Sequence, residues 1–242
     1  MSGFDKGPIL VTGASGGIGA ATVRLLCNAG ADVIASGRDT SVLAKLATET
    51  GCKTRPFDLE SEDSIRNALH DLELWGVVNC GGFGGEIASP MDTDIDVFDK
   101  VISINARGAL LVTKYASQSM IRLKKGGAIV NVSSQASLVA LKGHISYGSS
   151  KAALDNITRV SAMELGQYQI RVNSVNPTVV MTEMSAFYWG RPEIGDTFLS
   201  QMPLGRWATE DEIAAPIAFL LSDGASMITG VTLPIDGGFT AC

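Results

Sequence analysis

Short apolar runs rich in Val and Ile alternate with longer amphipathic stretches along the whole chain, and this alternation constrains the fold more than any other feature. The apolar runs are the predicted strands: Ile9–Thr12, 33–36, 53–56, Gly76–Asn79, 128–133, 170–175 and Thr232–Ile235. The stretches between them are the predicted helices: 20–29, 41–50, 61–72, 94–124, 146–166 and Glu210–Leu221. Strands that are apolar on both faces are typical of a parallel sheet with helices on each side.

This order of elements predicts a single doubly wound α/β domain of the Rossmann type, with a mostly parallel seven-stranded sheet flanked by helices. The domain is expected to span residues 1–242, because no repeat, low-complexity tract or linker interrupts the chain. Residues 181–202 form the least regular stretch and contain four aromatic residues and three methionines. An irregular apolar segment of this kind is either a lid over a substrate or a packed loop or subunit contact.

Composition narrows the classes of function. A net charge of −6 and a pI of about 4.9, with no run of Lys and Arg, disfavour a nucleic-acid partner. No long apolar stretch precedes the first glycine-rich turn, and the late apolar segment 213–221 is short and contains Pro216, so neither a secretory signal nor a membrane span is expected. Cys27, Cys52, Cys80 and Cys242 lack metal-ligand spacing, which favours reduced thiols, no metal site and a cytoplasmic location.

A glycine-rich turn follows the first predicted strand directly and leads into a helix. Glycine permits a tight turn and lets backbone N–H groups approach a pyrophosphate at the helix N-terminus. The spacing G-x-x-x-G-x-G differs from the better-known G-x-G-x-x-G, but its position between strand and helix favours a dinucleotide site over an ordinary loop. The candidate phosphate-binding residues are Gly13, Ser15, Gly16, Gly17, Ile18 and Gly19.

The residues after the second predicted strand bear on the choice of dinucleotide. An acidic residue there would hold the adenine ribose 2′-hydroxyl and select NAD(H), whereas this strand is followed by Gly37 and Arg38. The first carboxylate comes only at Asp39, and a guanidinium can bind a 2′-phosphate through two hydrogen bonds. The pattern favours NADP(H) over NAD(H). The alternative is that Arg38 is a solvated surface charge and the preference is loose.

Two further segments are positioned to contact the adenosine end of the cofactor. Asp58 and Leu59 come just after the third predicted strand, where the Asp58 carboxylate could accept a hydrogen bond from the adenine amino group. Asn79 and Gly81 lie at the end of the fourth predicted strand. Glycine at this place would let the backbone pass close to the adenine ribose.

Tyr147 and Lys151 are four residues apart in the predicted helix 146–166, so their side chains share one face. A free tyrosine has a pKa of about 10, and a neighbouring ammonium favours the phenolate and lowers that pKa. Tyr147 is then expected to give a proton to a carbonyl oxygen as hydride reaches the carbon. Lys151 could also hydrogen-bond the nicotinamide ribose, although a Tyr and a Lys at this spacing are common on helices.

Two polar residues complete a candidate catalytic group. Ser134 follows the strand 128–133, at the sheet edge where doubly wound domains bind ligands, and its hydroxyl could orient a carbonyl; the alternative is a strand end capped by serines. Asn105 lies inside the predicted helix 94–124, where its amide competes with backbone hydrogen bonds. A local kink that holds a water next to Lys151 would account for Asn105.

Taken together, these motifs resemble the short-chain dehydrogenase/reductase family across essentially the whole chain and in the family's order. The resemblance implies an NAD(P)-dependent oxidoreductase with a catalytic tetrad of Asn105, Ser134, Tyr147 and Lys151. The segments that carry it are T-G-x-x-x-G-x-G at 12–19, S-I-N at 103–105, N-V-S-S at 131–134, Y-x-x-x-K at 147–151 and N-P-T at 176–178.

The same resemblance implies that residues 177–182 contact the nicotinamide. Pro177 opens this segment, the Val180 backbone would meet the carboxamide, and Thr182 would lie near the phosphates. Two positions depart from the family pattern. Cys80 replaces the second Asn of N-N-A-G and loses an amide hydrogen bond between strands, and Thr178 replaces the glycine of N-P-G.

Several segments resemble the branch of this family that reduces L-xylulose, other ketoses and α-dicarbonyls such as diacetyl with NADPH and forms tetramers. They include N-P-T-V-V-M-T at 176–182, F-L-L-S-D at 219–223 and G-G-F-T-A-C at 237–242. Gln135 and His144 could hydrogen-bond a polyol, and Trp189 could close over it; the alternative for His144 is an ordinary loop histidine. The implied substrate-binding residues are Ser134, Gln135, Leu141, His144, Tyr147 and Trp189.

The expected activity is the reversible, NADPH-dependent reduction of a small ketose or α-dicarbonyl to an alcohol. Three alternatives stay open: a reductase of another ketone class such as 3-oxoacyl groups, a polyol dehydrogenase, and an idle NADP(H)-binding sensor or scaffold. The family resemblance implies a homotetramer, with subunits that pair through the helices 94–124 and 146–166.

Overall fold

The computed structural model describes residues 4–241; residues 1–3, Cys242 and the side chains of Glu183 and Met184 lie outside the described part. Its sheet has seven strands in the order β3-β2-β1-β4-β5-β6-β7. Every pair in that sheet is parallel, so the doubly wound prediction is confirmed and "mostly parallel" understates it. The strands are β1 Ile9–Thr12, β2 Val33–Ala35, β3 Lys53–Thr54, β4 Gly76–Asn79, β5 Gly127–Val132, β6 Ile170–Pro177 and β7 Thr232–Ile235.

Helices pack on both faces of the sheet because successive strand residues point to opposite sides. Ile9 and Val11 belong to a core cluster that includes Val23 and Ile213, whereas Leu10 belongs to a second cluster with Met120. The helices are α1 Gly17–Asn28, α2 Thr40–Thr50, α3 Glu62–Leu69, α4 Ile95–Ile102, α5 Ala109–Leu123, α6 Ile145–Leu165, α7 Glu183–Trp189, α8 Pro192–Leu199 and α9 Glu210–Leu221.

The strand order reverses beside β1, which lies between β2 and β4. In sheets of this kind a crevice opens at the carboxyl ends of the strands where the order reverses. Thr12 at the end of β1 pairs in register with Asn79 at the end of β4. The crevice therefore lies between the glycine-rich turn and the segment that follows β4.

The long helical region predicted at 94–124 is interrupted in its middle. A π-helical turn, Ser103–Gly108, joins α4 to α5, and Asn105 lies inside it. A π turn widens the helix and changes the backbone hydrogen-bond pattern at the residue where the sequence predicts a kink, and the water expected there stays a prediction. Such turns are frequent at functional sites.

The prediction that residues 181–202 are irregular is wrong, since this segment forms the short helices α7 and α8. Two start signals explain them. Thr182 and Ser185 form a capping box at the start of α7, and Pro192 occupies the first turn of α8. Helices of seven and eight residues show little periodicity and depend on tertiary contacts for stability.

Candidate active site

The glycine-rich turn lies against the segment after β4 at a distance that only glycine allows. Gly13 has a positive φ of 66°, and a Cβ there would lie 2.6 Å from the Gly81 Cα. A Cβ at Gly19 would lie 2.2 Å from the Gly13 carbonyl oxygen. The N-terminus of α1 has no side-chain cap from Gly16 and no acidic residue in its first turn. Its N–H groups are therefore available to an anion such as a pyrophosphate.

The residues predicted to contact the adenosine lie in two different places: Leu59 is next to Gly81, whereas the Asn79 side chain is buried in the sheet. Leu59 lies against Gly81, where a Cβ would be 2.5 Å from the Leu59 Cδ1, and the Asp58 carboxylate accepts a hydrogen bond from the Glu60 N–H at 3.0 Å. The Asn79 side chain, by contrast, is buried and its Nδ2 donates to the Asn131 Oδ1 at 2.8 Å. The Asn79 Oδ1 has no partner among the described residues, and the role of Asn79 at the cofactor stays a prediction.

The first acid in the sequence after β2, Asp39, already forms hydrogen bonds within the protein. The Asp39 carboxylate caps α2 by accepting from the Ser41 and Val42 N–H groups at 2.9 and 3.0 Å. It also accepts from the Ser41 Oγ at 2.7 Å, and this bond, with the two backbone bonds, lowers its pKa. Arg38 is exposed and forms no ion pair with any acid in residues 4–241. Gly37 lies against Ser15, since a Cβ there would be 2.8 Å from the Ser15 Oγ. Arg38 is thus free to meet a ligand beside the glycine-rich turn.

Tyr147 and Lys151 lie together on α6, with the Lys151 Nζ 5.6 Å from the centre of the Tyr147 ring. Burial raises the pKa of Tyr147 to about 12, although its hydrogen bond with Ser134 lowers it. The prediction that the neighbouring ammonium makes this phenol acidic is wrong in this structure, because loss of solvation is the larger effect. Burial also lowers the pKa of Lys151 to about 8, while its Nζ donates to the Val132 carbonyl oxygen at 2.8 Å.

Ser134 and Asn105 reach the same place from other elements. Ser134 follows β5 in an extended conformation, and its side chain is the hydrogen-bond partner that lowers the pKa of Tyr147. Both groups of the Asn105 amide are engaged: its Oδ1 accepts from the Phe83 N–H at 2.7 Å, and its Nδ2 donates to the Phe83 carbonyl and the Ser150 Oγ. Asn105 therefore ties the loop after β4 to α6.

The segment after β6 faces the N-terminus of α1. Pro177 ends β6, and Val180 is buried and pairs with Ala208 through a backbone bridge. A Cβ at Gly17 would lie 2.8 Å from the Thr182 Cγ2, so Thr182 lies directly beside the glycine-rich turn. This is the position that a residue near the phosphates requires.

The predicted substrate-binding residues differ in exposure: Ser134 and Gln135 are buried, whereas Leu141, His144 and Trp189 are partly exposed. His144 stacks on Trp189 with ring centres 5.5 Å apart, and burial lowers the pKa of this histidine. The Leu141 carbonyl accepts a hydrogen bond from the His144 N–H at 3.1 Å. Gln135 is 1 % exposed, and neither its Oε1 nor its Nε2 has a hydrogen-bond partner among the described residues.

Comparison with known proteins decides the family. A family model described as enoyl-(acyl carrier protein) reductase matches residues 13–240. The chain is also 41% identical to an L-xylulose reductase of Caenorhabditis elegans, over 98% of this chain and 97% of that protein. The chain belongs to the short-chain dehydrogenase/reductase family. It is therefore an oxidoreductase of a family that uses nicotinamide cofactors.

Two further relatives match nearly the whole length of the chain. A D-erythrulose reductase of Gallus gallus is 39% identical over 95% of this chain and 94% of its own length. A solved short-chain dehydrogenase/reductase from Mycobacterium ulcerans superposes with a TM-score of 0.93 at 31% identity, covering 97% of this chain and 90% of that one. No helix among the described residues is both long and apolar enough to cross a membrane.

Sequence reasoning missed three side chains that the fold brings to this short-chain dehydrogenase/reductase site. Ser150 holds the Asn105 amide and donates to the Tyr147 carbonyl oxygen at 2.7 Å. Glu210, the first residue of α9, would have its Oε1 2.8 Å from a Cβ at Gly17. Asp155 lies one turn after Lys151. Only Asp155 had a signal in the sequence, namely its spacing of four residues from Lys151.

Proposed function

We propose that this protein is an NADPH-dependent carbonyl reductase acting on small ketoses or α-dicarbonyls. The observation that carries the proposal is that Tyr147, Ser134 and Lys151 lie together, with Lys151 next to the segment after β4 that contacts the glycine-rich turn. The substrate class is supported by relatives named L-xylulose reductase and D-erythrulose reductase that match nearly the whole chain.

The residues present fit a dinucleotide. The uncapped α1 N-terminus and the contact between Gly13 and Gly81 form a cradle that a Cβ would fill, which suits a pyrophosphate. NADP(H) is favoured because Asp39, the first acid in the sequence after β2, is used to cap α2. Arg38 next to it is exposed, and a guanidinium suits a 2′-phosphate.

Three side chains share the chemistry. When bound, the reduced nicotinamide supplies the hydride that the carbonyl carbon accepts. Tyr147 is protonated at neutral pH, since its pKa is raised to about 12, so it holds the proton that the carbonyl oxygen needs. The Ser134 hydroxyl orients that oxygen. Lys151 has three hydrogens and uses one on the Val132 carbonyl, which leaves two for the ribose hydroxyls.

The outer part of the crevice suits a small polyhydroxylated or dicarbonyl substrate. Gln135 has a buried amide without a partner among the described residues, and leaving such a group unpaired costs about 1–3 kcal/mol. A hydroxyl or carbonyl of the substrate would satisfy it. His144 is neutral at pH 7 because burial lowers its pKa. Its Nδ1 donates to the Lys142 carbonyl oxygen at 2.8 Å, so its Nε2 offers an uncharged acceptor to a substrate hydroxyl. Trp189 provides a flat apolar wall for the carbon chain.

An initial-rate screen tests this function. L-Xylulose, diacetyl and a 3-oxoacyl thioester are each assayed with NADPH and with NADH. We expect turnover of the first two, with a higher kcat/KM for NADPH than for NADH. Turnover of the thioester alone would replace the proposal with an acyl reductase, and binding of NADPH without turnover of any carbonyl would favour a sensor.

We also propose that the protein works as a cytoplasmic homotetramer. Apolar side chains are exposed on α5 and α6, among them Leu110, Val160 and Met163. Exposed apolar residues that share helix faces are typical of subunit contacts. Light scattering on the purified protein should give four times the 25.3 kDa mass of the chain, and a monomeric mass would contradict the proposal.

A further inference from the structure

A buried carboxylate, Asp155, lies on the same helix as the candidate catalytic residues Tyr147 and Lys151. Asp155 is on α6, four residues after Lys151, and is 3 % exposed, while Lys151 itself is 4 % exposed. Side chains at this spacing are neighbours on one helix face. Burying a carboxylate costs several kcal/mol unless hydrogen bonds and an opposite charge compensate for the lost water.

The hydrogen-bond partners of Asp155 are all neutral. Its Oδ2 accepts from the Ser137 Oγ at 2.5 Å and from the Asn176 Nδ2 at 2.9 Å, and its Oδ1 accepts from the Ser174 Oγ at 3.0 Å. No cationic side chain in residues 4–241 forms a salt bridge with it. Dipoles thus satisfy its oxygens but leave its negative charge to act on Lys151.

The negative charge of Asp155 acts to raise the pKa of Lys151. Burial lowers the pKa of Lys151 to about 8, whereas a thiolate at Cys80, if formed, and the carboxylate of Asp155 act to raise it. Cys80 has its own pKa raised to about 12 by burial, so its thiol is neutral at pH 7 to 9. Tyr147, the other titratable group beside Lys151, is also neutral there. Asp155 is therefore the anion that acts on Lys151 in this range.

The same carboxylate is linked to Ser134 through hydrogen bonds. The Asn176 Nδ2 has two hydrogens and lies within hydrogen-bond distance of Asp155, of the Ser137 Oγ at 2.8 Å and of the Ser134 carbonyl oxygen at 3.2 Å, so these three acceptors share them. Ser137 closes the short turn that begins after Ser134. Asp155 therefore fixes the backbone that carries the Ser134 hydroxyl.

We propose that Asp155 is a positioning residue of the reduction, whose charge keeps Lys151 protonated and whose hydrogen bonds hold the Ser134 turn in place. This inference rests on the proposed function, because Lys151 and Ser134 act in that reaction. It gives the buried charge of Asp155 a role that a purely structural group would not have.

The test compares the neutral variants Asp155→Asn and Asp155→Ser with Asp155→Glu, which keeps the charge. With NADPH and diacetyl, the wild-type kcat should fall above pH about 8, as Lys151 loses its proton. In both neutral variants this alkaline limb should move to lower pH by on the order of one unit. The KM for NADPH should stay within about twofold, and Asp155→Glu should restore the limb.

A matched control variant separates the effect of losing the Asp155 charge from the effect of a less stable fold. Thr158 is buried on the next turn of α6, and its Oγ1 accepts from the Asn131 Nδ2 at 2.8 Å. Thr158→Val should lower the Tm as the Asp155 variants do but leave the alkaline limb where it is. Asp155→Ser serves if Asp155→Asn does not fold, because the smaller side chain leaves room for water instead of a misplaced amide donor.

A second readout does not depend on turnover. The lysine side chains are labelled with ¹⁵N, and the Nζ signal of Lys151, assigned by its loss in Lys151→Met, is titrated in wild type and in Asp155→Ser. A lower Lys151 pKa in the variant supports the inference even if the wild type reduces no carbonyl, in which case only the proposed function fails. An equal pKa, or an unmoved alkaline limb in both neutral variants, overturns the inference.

Discussion

The two halves of the crevice are built in different ways. On the cofactor side, backbone lies against backbone: a Cβ at Gly13 or Gly19 would come within 2.6 or 2.2 Å of main-chain atoms. On the substrate side, rings lie against rings: Trp189 contacts His144 at 5.5 Å and Phe198 at 4.6 Å between ring centres. A side chain at Gly13 or Gly19 forces main-chain atoms to move, whereas the substrate side can repack around different side chains.

This difference explains why one fold can keep its cofactor while its substrate varies. Backbone contacts fix the shape of the cofactor side whatever the neighbouring side chains are. Side-chain contacts on α7 and α8 can change by substitution without disturbing the sheet. Substitutions on the two sides should therefore have separate effects on cofactor binding and on substrate binding.

The largest change in activity is expected for a substitution of Tyr147, which lies between the cofactor side and the substrate side of the crevice. Tyr147→Phe removes the phenolic proton but keeps the ring, so kcat should fall by at least about a thousandfold while NADPH still binds. Stopped-flow reduction and NADPH fluorescence titration measure the two quantities. Activity within tenfold of wild type would remove Tyr147 from its role as proton donor.

The next effect tests the cofactor side. Gly19→Ala places a methyl group against the Gly13 carbonyl, so we expect a loss of about 1–3 kcal/mol in unfolding free energy and much weaker NADPH binding. Gly166→Ala is the matched control, because no atom lies within 4 Å of its Cβ position and its φ is −56°. Urea unfolding of both variants measures the difference. Equal stability in the two would show that the close backbone contact is not needed.

A smaller effect is expected at Arg38. Arg38→Ala should raise the KM for NADPH roughly tenfold or more and leave the KM for NADH nearly unchanged, since only NADPH has the 2′-phosphate. Arg122→Ala, another exposed arginine on α5, should change neither constant. A parallel rise in both constants for Arg38→Ala would mean that this guanidinium does not select the cofactor.

The smallest effect is expected on the substrate side. Trp189→Ala should raise the KM for diacetyl or L-xylulose several-fold with kcat less affected, because lost ring contacts are worth about 1 kcal/mol each. Phe187→Ala is the control on the same helix, since Phe187 is 86 % exposed. NADPH binding should be unchanged in both. A rise in the KM for NADPH in Trp189→Ala would show that the two sides are coupled.

The difference between backbone contacts and side-chain contacts also explains which parts of the structure can be predicted from the sequence. The glycine spacing and the apolar strands report backbone requirements, so the sheet, the turn at 13–19 and the spacing of Tyr147 and Lys151 are predictable. The helices α7 and α8 are not, because contacts of Trp189 and Phe198 with rings distant in sequence support them. The direction of the Tyr147 pKa is not predictable either, since it depends on how deeply the crevice buries the phenol.

The central claim is that burial keeps Tyr147 protonated until a carbonyl takes its proton. The direct measurement is an ultraviolet difference titration of phenolate absorption, wild type minus Tyr147→Phe, in protein without added cofactor. The structure predicts that the phenolate of Tyr147 is absent at neutral pH and forms only with a pKa of about 12. A phenolate that forms near pH 7 would contradict the claim and restore Lys151 as the dominant influence on this tyrosine.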